Sequence, residues 1–236
     1  MYFRAFRQRC EWCLARGGWR SSVNIRATSP NLPKITVPPL ILASTSKYRA
    51  ELLSRLQLPF ETIAPQLDET PVPGEAPRAL ALRLAVAKAQ AVANVMGHAG
   101  RKDGLIIGSD QVAHCGGRIM DKPGTHQRAT GQLRFMRGKE TWFDTAVALV
   151  DAASGRVQSE VVSTRVLLRE LTDAEIEAYL RKEQPYDCAG SAKSEGLGIA
   201  LMDKLEGDDP TALIGLPLIA LTRMLRTEGV VLFGPA

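Results

Sequence analysis

Short apolar strands and amphipathic helices alternate along this chain from Leu40 onward, and this alternation most restricts the fold. The first predicted strand covers residues 40–43, and Ser46 caps a helix over residues 48–56. The later predicted elements are a strand at 60–63, a helix at 77–95, a strand from Leu105, a helix at 125–136, strands at 141–151 and 157–168, and helices at 172–180 and 217–225. Because strands and helices alternate without a repeat, we predict one α/β domain with a mixed, twisted sheet flanked by helices.

Composition narrows the class of protein further. A hydrophobic content of 45% is enough for a sizeable core. We find no apolar stretch that approaches the roughly 20 residues of a membrane span, so we expect no membrane partner. Four cysteines are too few and too unevenly spaced for a disulfide framework, which favours a reducing, cytoplasmic location.

Residues 1–38 differ from the rest of the chain. They hold seven basic side chains and one acidic one, which accounts for the overall net charge of +5 and leaves the remainder nearly neutral. We expect a disordered basic extension or a start codon assigned too far upstream, followed by a domain over residues 39–236; the composition also faintly resembles a transit peptide. Cys10 and Cys13 have no second pair nearby, so we predict no zinc site, and the nearly neutral domain predicts no specific nucleic-acid partner.

A carboxylate follows the most apolar strand. Leu105, Ile106 and Ile107 lead into the sequence Gly108-Ser109-Asp110-Gln111. If the strand ends there, Asp110 lies at the rim of the sheet, where α/β enzymes place their chemistry. Such a carboxylate also commonly caps a turn or a helix, and both interpretations remain open.

Lys88 breaks the pattern of its own helix. It follows Leu84 by four residues and therefore falls within the apolar stripe of the helix over residues 77–95. A lysine among buried leucines is costly unless it meets an anion, or unless its side chain extends past the edge of the helix. The helix alone does not decide between these alternatives.

Three other segments carry groups that suit a phosphate or a cation. Ser44 and Arg49 flank a strand-to-helix junction, which suits a phosphate but is also typical of a simple cap. Asp68 and Glu69 are adjacent in an extended segment, so one of them at most faces a shared site, and a solvated acidic loop is the alternative. Lys122 precedes a proline, which holds it in an extended conformation.

Together these segments, in this order, resemble the Maf family of nucleotide pyrophosphatases over residues 40–229. The matching segments are 42–44 with Arg49, 51–53, 68–69, 83–85 with 88–89, 108–110, 122–123, 189–190 and 215–218. The chain looks most like the branch that hydrolyses 7-methyl-GTP, because of residues 108–111, 184–191, 193–196 and 208–213.

The resemblance implies a Maf/ITPase-like fold and hydrolysis between the α- and β-phosphates of a nucleoside triphosphate. In that reaction Asp110 takes the proton from water as general base. Phosphate binding falls to Ser44, Arg49, Lys88 and Lys122. Glu69 faces a divalent cation, Mg²⁺ or Mn²⁺, since hard cations prefer carboxylate and phosphate oxygens. The resemblance also suggests a homodimer.

Selectivity for the base is assigned to Tyr48, Gln111 and Glu195. Methylation at N7 makes guanine cationic, which favours an aromatic face and a carboxylate, and Gln111 suits a hydrogen bond to the base edge. The alternative is that Tyr48 packs, Gln111 caps and Glu195 is solvated. The chain departs from the family pattern at Lys47, Ala50, Ala87, Asp121 and Ala192, and the effect of these departures on activity is open.

Three competing interpretations remain at this point. The first is a sibling pyrophosphatase that acts on dTTP, UTP or another modified nucleotide. The second is a division-associated regulator that binds a nucleotide without hydrolysing it, with salt-sensitive DNA contact through the basic extension. The third is a generic α/β domain in which Asp110 is only a cap.

Overall fold

Every helix and strand predicted from the sequence is present in the computed structural model, which describes residues 38–233. The elements are β1 (Leu40–Leu42), α1 (Lys47–Ser54), β2 (Phe60–Thr62), α2 (Pro77–His98), β3 (Leu105–Cys115), β4 (Arg118–Met120), α3 (His126–Met136), β5 (Glu140–Asp151), β6 (Val157–Leu168), α4 (Asp173–Glu183), β7 (Met202–Glu206) and α5 (Leu218–Thr227). Strands β4 and β7 and two 3-10 turns, Ala189–Ser191 and Leu197–Leu201, were not predicted. Cys10, Cys13 and all but the last residue of the predicted extension lie outside the described residues.

The strands form one mixed sheet, as predicted, and it has seven strands. Its order is β2-β1-β3-β5-β6-β7, with β4 paired to the end of β3. The short strand β1 runs parallel to β2 and β3, whereas β3, β5, β6 and β7 pair antiparallel. The parallel half therefore supplies a strand-to-helix junction at its carboxyl edge, which is a common location for binding sites.

Strand β3 does not end where the sequence suggested. It continues through Asp110 to Cys115, with Asp110 opposite Ala146 of β5, so the prediction of a strand-end carboxylate is wrong. On the other side, the pairing of β1 with β3 stops at Ile107. Asp110 therefore lies inside β3 but past the end of β1. At this position β1 no longer covers that edge of β3, which leaves the edge open.

Gly108 lets α2 lie directly against β3. A Cβ atom at this position would collide with the backbone carbonyl of Ala85 and would also crowd Ala89. A glycine inside a strand commonly marks such a close backbone approach. This close packing brings the middle of α2, including Lys88, next to Asp110.

Helices cover both faces of the sheet. Helix α2 packs on one face, with Leu80, Leu84, Val92 and Met96 buried. On the other face, α1 and α5 share a core with β1 and β3, and α3 and α4 share a core with β5 and β6. Fully burying one such leucine contributes about 1.5–3 kcal/mol, so these cores hold the pocket walls firmly in place.

Helix α2 corrects one expectation from the sequence. Within the described part of the chain it is the helix that is long and apolar enough, by length and composition, to cross a membrane. The statement that no apolar stretch approaches this length is therefore wrong. The apolar side of α2 is buried on the sheet, however, and the charged Lys88 lies within that side, which is the pattern of a core helix.

Candidate active site

A pocket of about 520 Å³ opens at the carboxyl edge of β1, a volume that suits a small-molecule ligand. Its floor is formed by β3 and α2. One wall is the junction between β1 and α1, and the opposite wall contains Lys122 and the segment from Asp187 to Glu195. All nine side chains singled out by the sequence line this pocket: Ser44, Tyr48, Arg49, Glu69, Lys88, Asp110, Gln111, Lys122 and Glu195.

Lys88 meets two carboxylates on the pocket floor. Its Nζ lies 2.6 Å from Asp110 Oδ1 and 3.0 Å from Glu69 Oε2, and the residue is only 5% exposed. The structure thus supports the first of the two alternatives for Lys88, a buried ammonium paired with anions. Lys88 and Asp110 are both buried, whereas the Glu69 side chain is exposed. Removing one member of the buried pair leaves an uncompensated charge, so Lys88 and Asp110 depend on each other.

Arg49 reaches the same cluster from α1. Its Nε donates to the backbone carbonyl of Gly215 at 3.0 Å, and a terminal nitrogen lies 4.0 Å from Asp110 Oδ1. Burial lowers the pKa of the Arg49 guanidinium, and the carboxylates of Asp110 and Glu69 oppose that shift. Arginine stays protonated in proteins, so the pocket floor keeps a fixed positive charge.

The junction between β1 and α1 is both a cap and a pocket wall. Ser46 caps α1 by accepting a hydrogen bond from the backbone of Arg49. Ser44 Oγ accepts from the backbone of Ser46 at 3.1 Å and lies 3.5 Å from the Arg49 guanidinium. The free N–H groups at the start of α1 therefore sit beside a hydroxyl and a guanidinium, an arrangement that suits a phosphate.

Asp68 and Glu69 point to different surroundings, as their adjacency predicted. Asp68 Oδ1 accepts from the backbone and the hydroxyl of Thr70, on the surface. Glu69 turns to the pocket and to Lys88.

The carboxylates of Glu69 and Asp110 are both bound to Lys88, and carboxylate oxygens are donors that a divalent cation prefers. Among residues 38–233, no three His, Cys, Asp or Glu side chains cluster closely enough to hold a metal ion by themselves. Mg²⁺ is commonly bound by one or two carboxylates together with substrate phosphates and water. Within the same residues, Glu69 Oε1 and Asp110 Oδ2 accept no hydrogen bond. The pair fits a cation that arrives with a phosphorylated substrate.

Lys122 is exposed and lies on the opposite wall, in the loop between β4 and α3. The preceding residue, Asp121, pairs with Arg128 and accepts two hydrogen bonds from the buried amide of Gln132. Asp121, a departure from the family pattern, thus anchors the loop that carries Lys122.

The hydroxyl group of Tyr48 contacts a carboxylate at the mouth of the pocket. The hydroxyl lies 3.2–3.3 Å from both carboxylate oxygens of Asp187, across the mouth of the pocket. Burial raises the pKa of Tyr48, so the hydroxyl stays protonated and donates to Asp187. The ammonium of Lys47 lies 4.9 Å from the centroid of the Tyr48 ring and 3.6 Å from Asp187. A cation of the protein therefore already lies over the aromatic face that the sequence suggested for a cationic base.

The amide of Gln111 is engaged with the protein. Its Nε2 lies 2.9 Å from Thr145 Oγ1, 3.1 Å from the carbonyl of Ala212 and 3.0 Å from that of Leu213. An amide nitrogen has two hydrogens, so these acceptors use both of them. The amide nitrogen therefore holds residues 212–213 in place. The same segment includes Gly215, whose carbonyl accepts the hydrogen bond from Arg49.

Glu195 is exposed and lines the pocket, with the hydroxyl of Ser194 at 3.4 Å. Helix α4 holds its loop. Glu183 accepts from Lys193 Nζ and from the backbone of Leu197, each at 2.7 Å, and Tyr179 accepts from the backbone of Lys193. These contacts keep the Glu195 wall in a defined position.

Sequence reasoning missed the residues that support the pocket from behind or across it. They are Gln132, Thr145, Tyr179, Glu183 and Asp187. Tyr179 and Glu183 are four residues apart on α4, but the predicted helix ended at residue 180, so no sequence pattern indicated that they share a partner. The others contact residues distant in the chain, so no local pattern reveals them.

A seven-stranded α/β domain with a cation-rich, carboxylate-floored pocket defines a class of phosphate-handling enzymes. The sequence model described as "Maf-like protein" matches residues 39–228, and this chain belongs to the Maf family. It is 60% identical to a protein of Polaromonas sp. named "7-methyl-GTP pyrophosphatase", over 84% of this chain and 88% of that one. A protein of Thiobacillus denitrificans with the same name is 61% identical, over 85% of this chain and 98% of its own.

Among solved structures, the chain is similar to the Ham1 protein of Staphylococcus aureus. The TM-score is 0.41 at 10% identity, with 56% of this chain and 72% of the other covered.

Proposed function

We propose that this protein hydrolyses 7-methyl-GTP to 7-methyl-GMP and diphosphate, and so removes a modified nucleotide from the pool. The observation that carries the proposal is the buried ion pair of Lys88 and Asp110 on the pocket floor, which the exposed carboxylate of Glu69 joins through Lys88. Around 60% identity to proteins named 7-methyl-GTP pyrophosphatase supports the choice of substrate.

The cations of the pocket match a triphosphate. A triphosphate carries about four negative charges, which must be neutralised before water attacks a phosphorus atom. In this proposal Arg49 and Lys88 bind it from the floor, Lys122 binds it from the opposite wall, and the Ser44 hydroxyl donates a hydrogen bond. The charges are fixed before the substrate arrives, so little reorganisation is needed in the transition state.

Asp110 is the proposed general base. Its Oδ1 is held by Lys88, and its Oδ2 accepts no hydrogen bond from residues 38–233. A carboxylate with one oxygen fixed and one free is well suited to orient a water molecule and take its proton. Lys88 thus both positions the base and contributes to phosphate neutralisation.

A divalent cation, Mg²⁺ or Mn²⁺, is part of the proposal. When bound, it neutralises phosphate oxygens and polarises the phosphoryl group. Glu69 would hold it, with the remaining positions filled by phosphate and water, while Asp110 stays available to the attacking water.

Base recognition is assigned to the carboxylates near Tyr48. Glu195 and Asp187 both line that end of the pocket, where a cationic 7-methylguanine gains attraction that neutral bases do not. Tyr48 and Gln111 remain among the residues proposed for selectivity, but each acts indirectly: Tyr48 orients Asp187, and Gln111 fixes residues 212–213.

We also propose a cytoplasmic location and a homodimer. Light scattering of the purified protein measures the oligomeric state.

The test is a turnover panel with 7-methyl-GTP, GTP, dTTP, UTP and CTP, each with Mg²⁺, with Mn²⁺ and with a chelator. We expect the highest kcat/KM for 7-methyl-GTP, release of diphosphate, and loss of activity with the chelator. A preference for dTTP or UTP contradicts the substrate assignment. Deleting residues 1–38 tests the regulator. DNA binding by the full chain that the shortened chain loses, with no turnover by either protein, favours the regulator instead.

A further inference from the structure

One buried amide contacts two walls of the pocket at the same time. Gln132, on α3, is 8% exposed and does not line the pocket. Its Nε2 donates to the backbone carbonyl and the carboxylate of Asp121, at 2.9 and 2.8 Å. Its Oε1 accepts from the hydroxyl of Ser191 at 2.7 Å. Asp121 begins the loop that carries Lys122, and Ser191 begins the segment that carries Glu195.

These two segments are here called the Lys122 loop (residues 121–125) and the Glu195 loop (residues 191–196). Both amide hydrogens and the amide oxygen of Gln132 are used in joining them. One weaker backbone bond, from Gly190 to the Asp121 carbonyl at 3.3 Å, runs beside this bridge. A second backbone bond, from Gly124 to the carbonyl of Tyr186 at 2.9 Å, also ties the Lys122 loop to the segment before the Glu195 loop. Gln132 nevertheless joins the two loops directly, through a side chain that does not line the pocket.

Ser191 supplies an independent sign that the bridge is under constraint. Its φ is +58°, in the left-handed region, although the residue is not glycine and is fully buried. The other non-glycine residues with positive φ in the described chain, Gln57 and Gln184, are exposed, whereas Ser191 is enclosed at the end of a 3-10 turn. Backbone strain of this kind persists when surrounding contacts hold it, here Gln132 on the hydroxyl and Tyr179 on the carbonyl.

We propose that Gln132 is a positioning residue that sets the distance between the phosphate-binding Lys122 and the base-recognising Glu195. The inference rests on the proposed function of the same pocket. A substrate that spans both loops is aligned for attack only when both ends bind together, and small misplacements cost large factors in rate. Gln132 thereby couples the recognition of the base to hydrolysis at the phosphates.

The test compares Gln132→Met with a matched control. Methionine keeps the length of the side chain and loses all three hydrogen bonds. The control is Gln158→Met, because Gln158 is a half-buried amide that bonds Met224 and Glu228 between β6 and α5, away from the pocket. We expect both variants to lower Tm, whereas Gln132→Met alone lowers kcat/KM for 7-methyl-GTP, by about tenfold or more.

Two further readouts separate positioning from a general loss of stability. The ratio of kcat/KM for 7-methyl-GTP to that for GTP falls about threefold or more in Gln132→Met and is unchanged in Gln158→Met. Ser191→Gly keeps the left-handed backbone and removes the hydroxyl, so its kinetic effect is not additive with that of Gln132→Met. Additive effects, or unchanged kinetics in a folded Gln132→Met protein, overturn the inference.

The outcome for the wild-type protein distinguishes this inference from the proposed function. If the wild-type protein prefers another triphosphate, the proposed substrate is wrong, and the same comparison on the preferred triphosphate decides the role of Gln132. If it hydrolyses none of the panel, the proposed function and this inference fail together. If it hydrolyses 7-methyl-GTP and Gln132→Met matches it, this inference alone fails.

Discussion

The two ends of the pocket are built in different ways. At the proposed phosphate end, Lys88 and Asp110 come from the middle of a long helix and a long strand, and they form a buried ion pair. At the proposed base end, Asp187 and Glu195 are exposed and lie in irregular segments. Tyr48 donates to Asp187 across the mouth of the pocket, and Tyr179 and Glu183 hold the loop of Glu195 from behind. One end depends on charges enclosed by a packed core, and the other depends on a scaffold of polar contacts.

This difference predicts a division of labour between the ends. Charges that are enclosed interact strongly and tolerate no replacement, so changes at the floor are expected to affect the rate on every substrate. Exposed carboxylates attract a ligand only weakly, because solvent screens their charge. Changes at the base end are therefore expected to alter the ratio of kcat/KM between substrates. The predictions below test whether the two ends can be separated in this way.

The largest effect is expected for Asp110→Asn. The amide keeps the shape of the side chain but cannot take a proton from water, so we expect kcat to fall about 10²–10⁴-fold on every nucleotide. Steady-state kinetics measures the loss, and circular dichroism with a melting curve checks that the fold persists. Retained turnover in a folded Asp110→Asn protein contradicts the assignment of the general base.

Lys88→Met is expected to affect both activity and stability. It leaves Asp110 and Glu69 without their shared ammonium, which destabilises the fold by about 3 kcal/mol, and it removes a cation from the phosphate site. We expect kcat/KM to fall about 10²-fold or more for all substrates. Urea unfolding and kinetics measure the two effects. Exposed Lys139 gives the matched control Lys139→Met, and a Lys88→Met protein as stable and active as that control contradicts an ionic role for Lys88.

The two ends also differed in how well they could be predicted from the sequence. Lys88 was identified because it interrupts the apolar face of a predicted helix, and such a pattern is visible within a short stretch of sequence. Asp110 was found through its apolar strand, but the strand continued because its partner was β5, more than 30 residues later in the chain. The commitment of the Gln111 amide to Ala212 and Leu213 involves a separation of about 100 residues, and no local pattern carries that information. The alternation of elements identified the fold because it depends on local periods alone.

Glu195→Gln tests the base end directly. The amide is neutral, so the attraction for a cationic base is lost while the size of the side chain is kept. We expect kcat/KM for 7-methyl-GTP to fall about tenfold, with that for GTP nearly unchanged. The control is Glu206→Gln, an exposed glutamate on β7 outside the pocket. An equal loss on both substrates shows that Glu195 serves turnover rather than selectivity.

The smallest effect is expected for Glu183→Gln, which loosens the Glu195 loop from behind. The hydrogen bonds from Lys193 and from the backbone of Leu197 hold the pKa of Glu183 below its ordinary value of 4.5. Such a carboxylate stabilises the folded protein at pH values above the pKa that it has in the unfolded chain. This contribution is lost as the pH falls through the lower pKa that it has in the folded protein. We therefore expect Glu183→Gln to cost about 1 kcal/mol at pH 7 and less at pH 3.

Urea unfolding of both proteins at pH 7 and pH 3 measures this difference. A difference in unfolding free energy that stays constant with pH shows that packing, rather than the charge of Glu183, supports the loop.

A kinetic measurement on the same variant compares the two ends of the pocket. Because Glu183 lies behind the base end, Glu183→Gln is expected to lower the ratio of kcat/KM for 7-methyl-GTP to that for GTP while leaving kcat on GTP nearly unchanged. A general fall in kcat instead means that the Glu195 loop also orders the phosphate end, and the two ends then act as one unit.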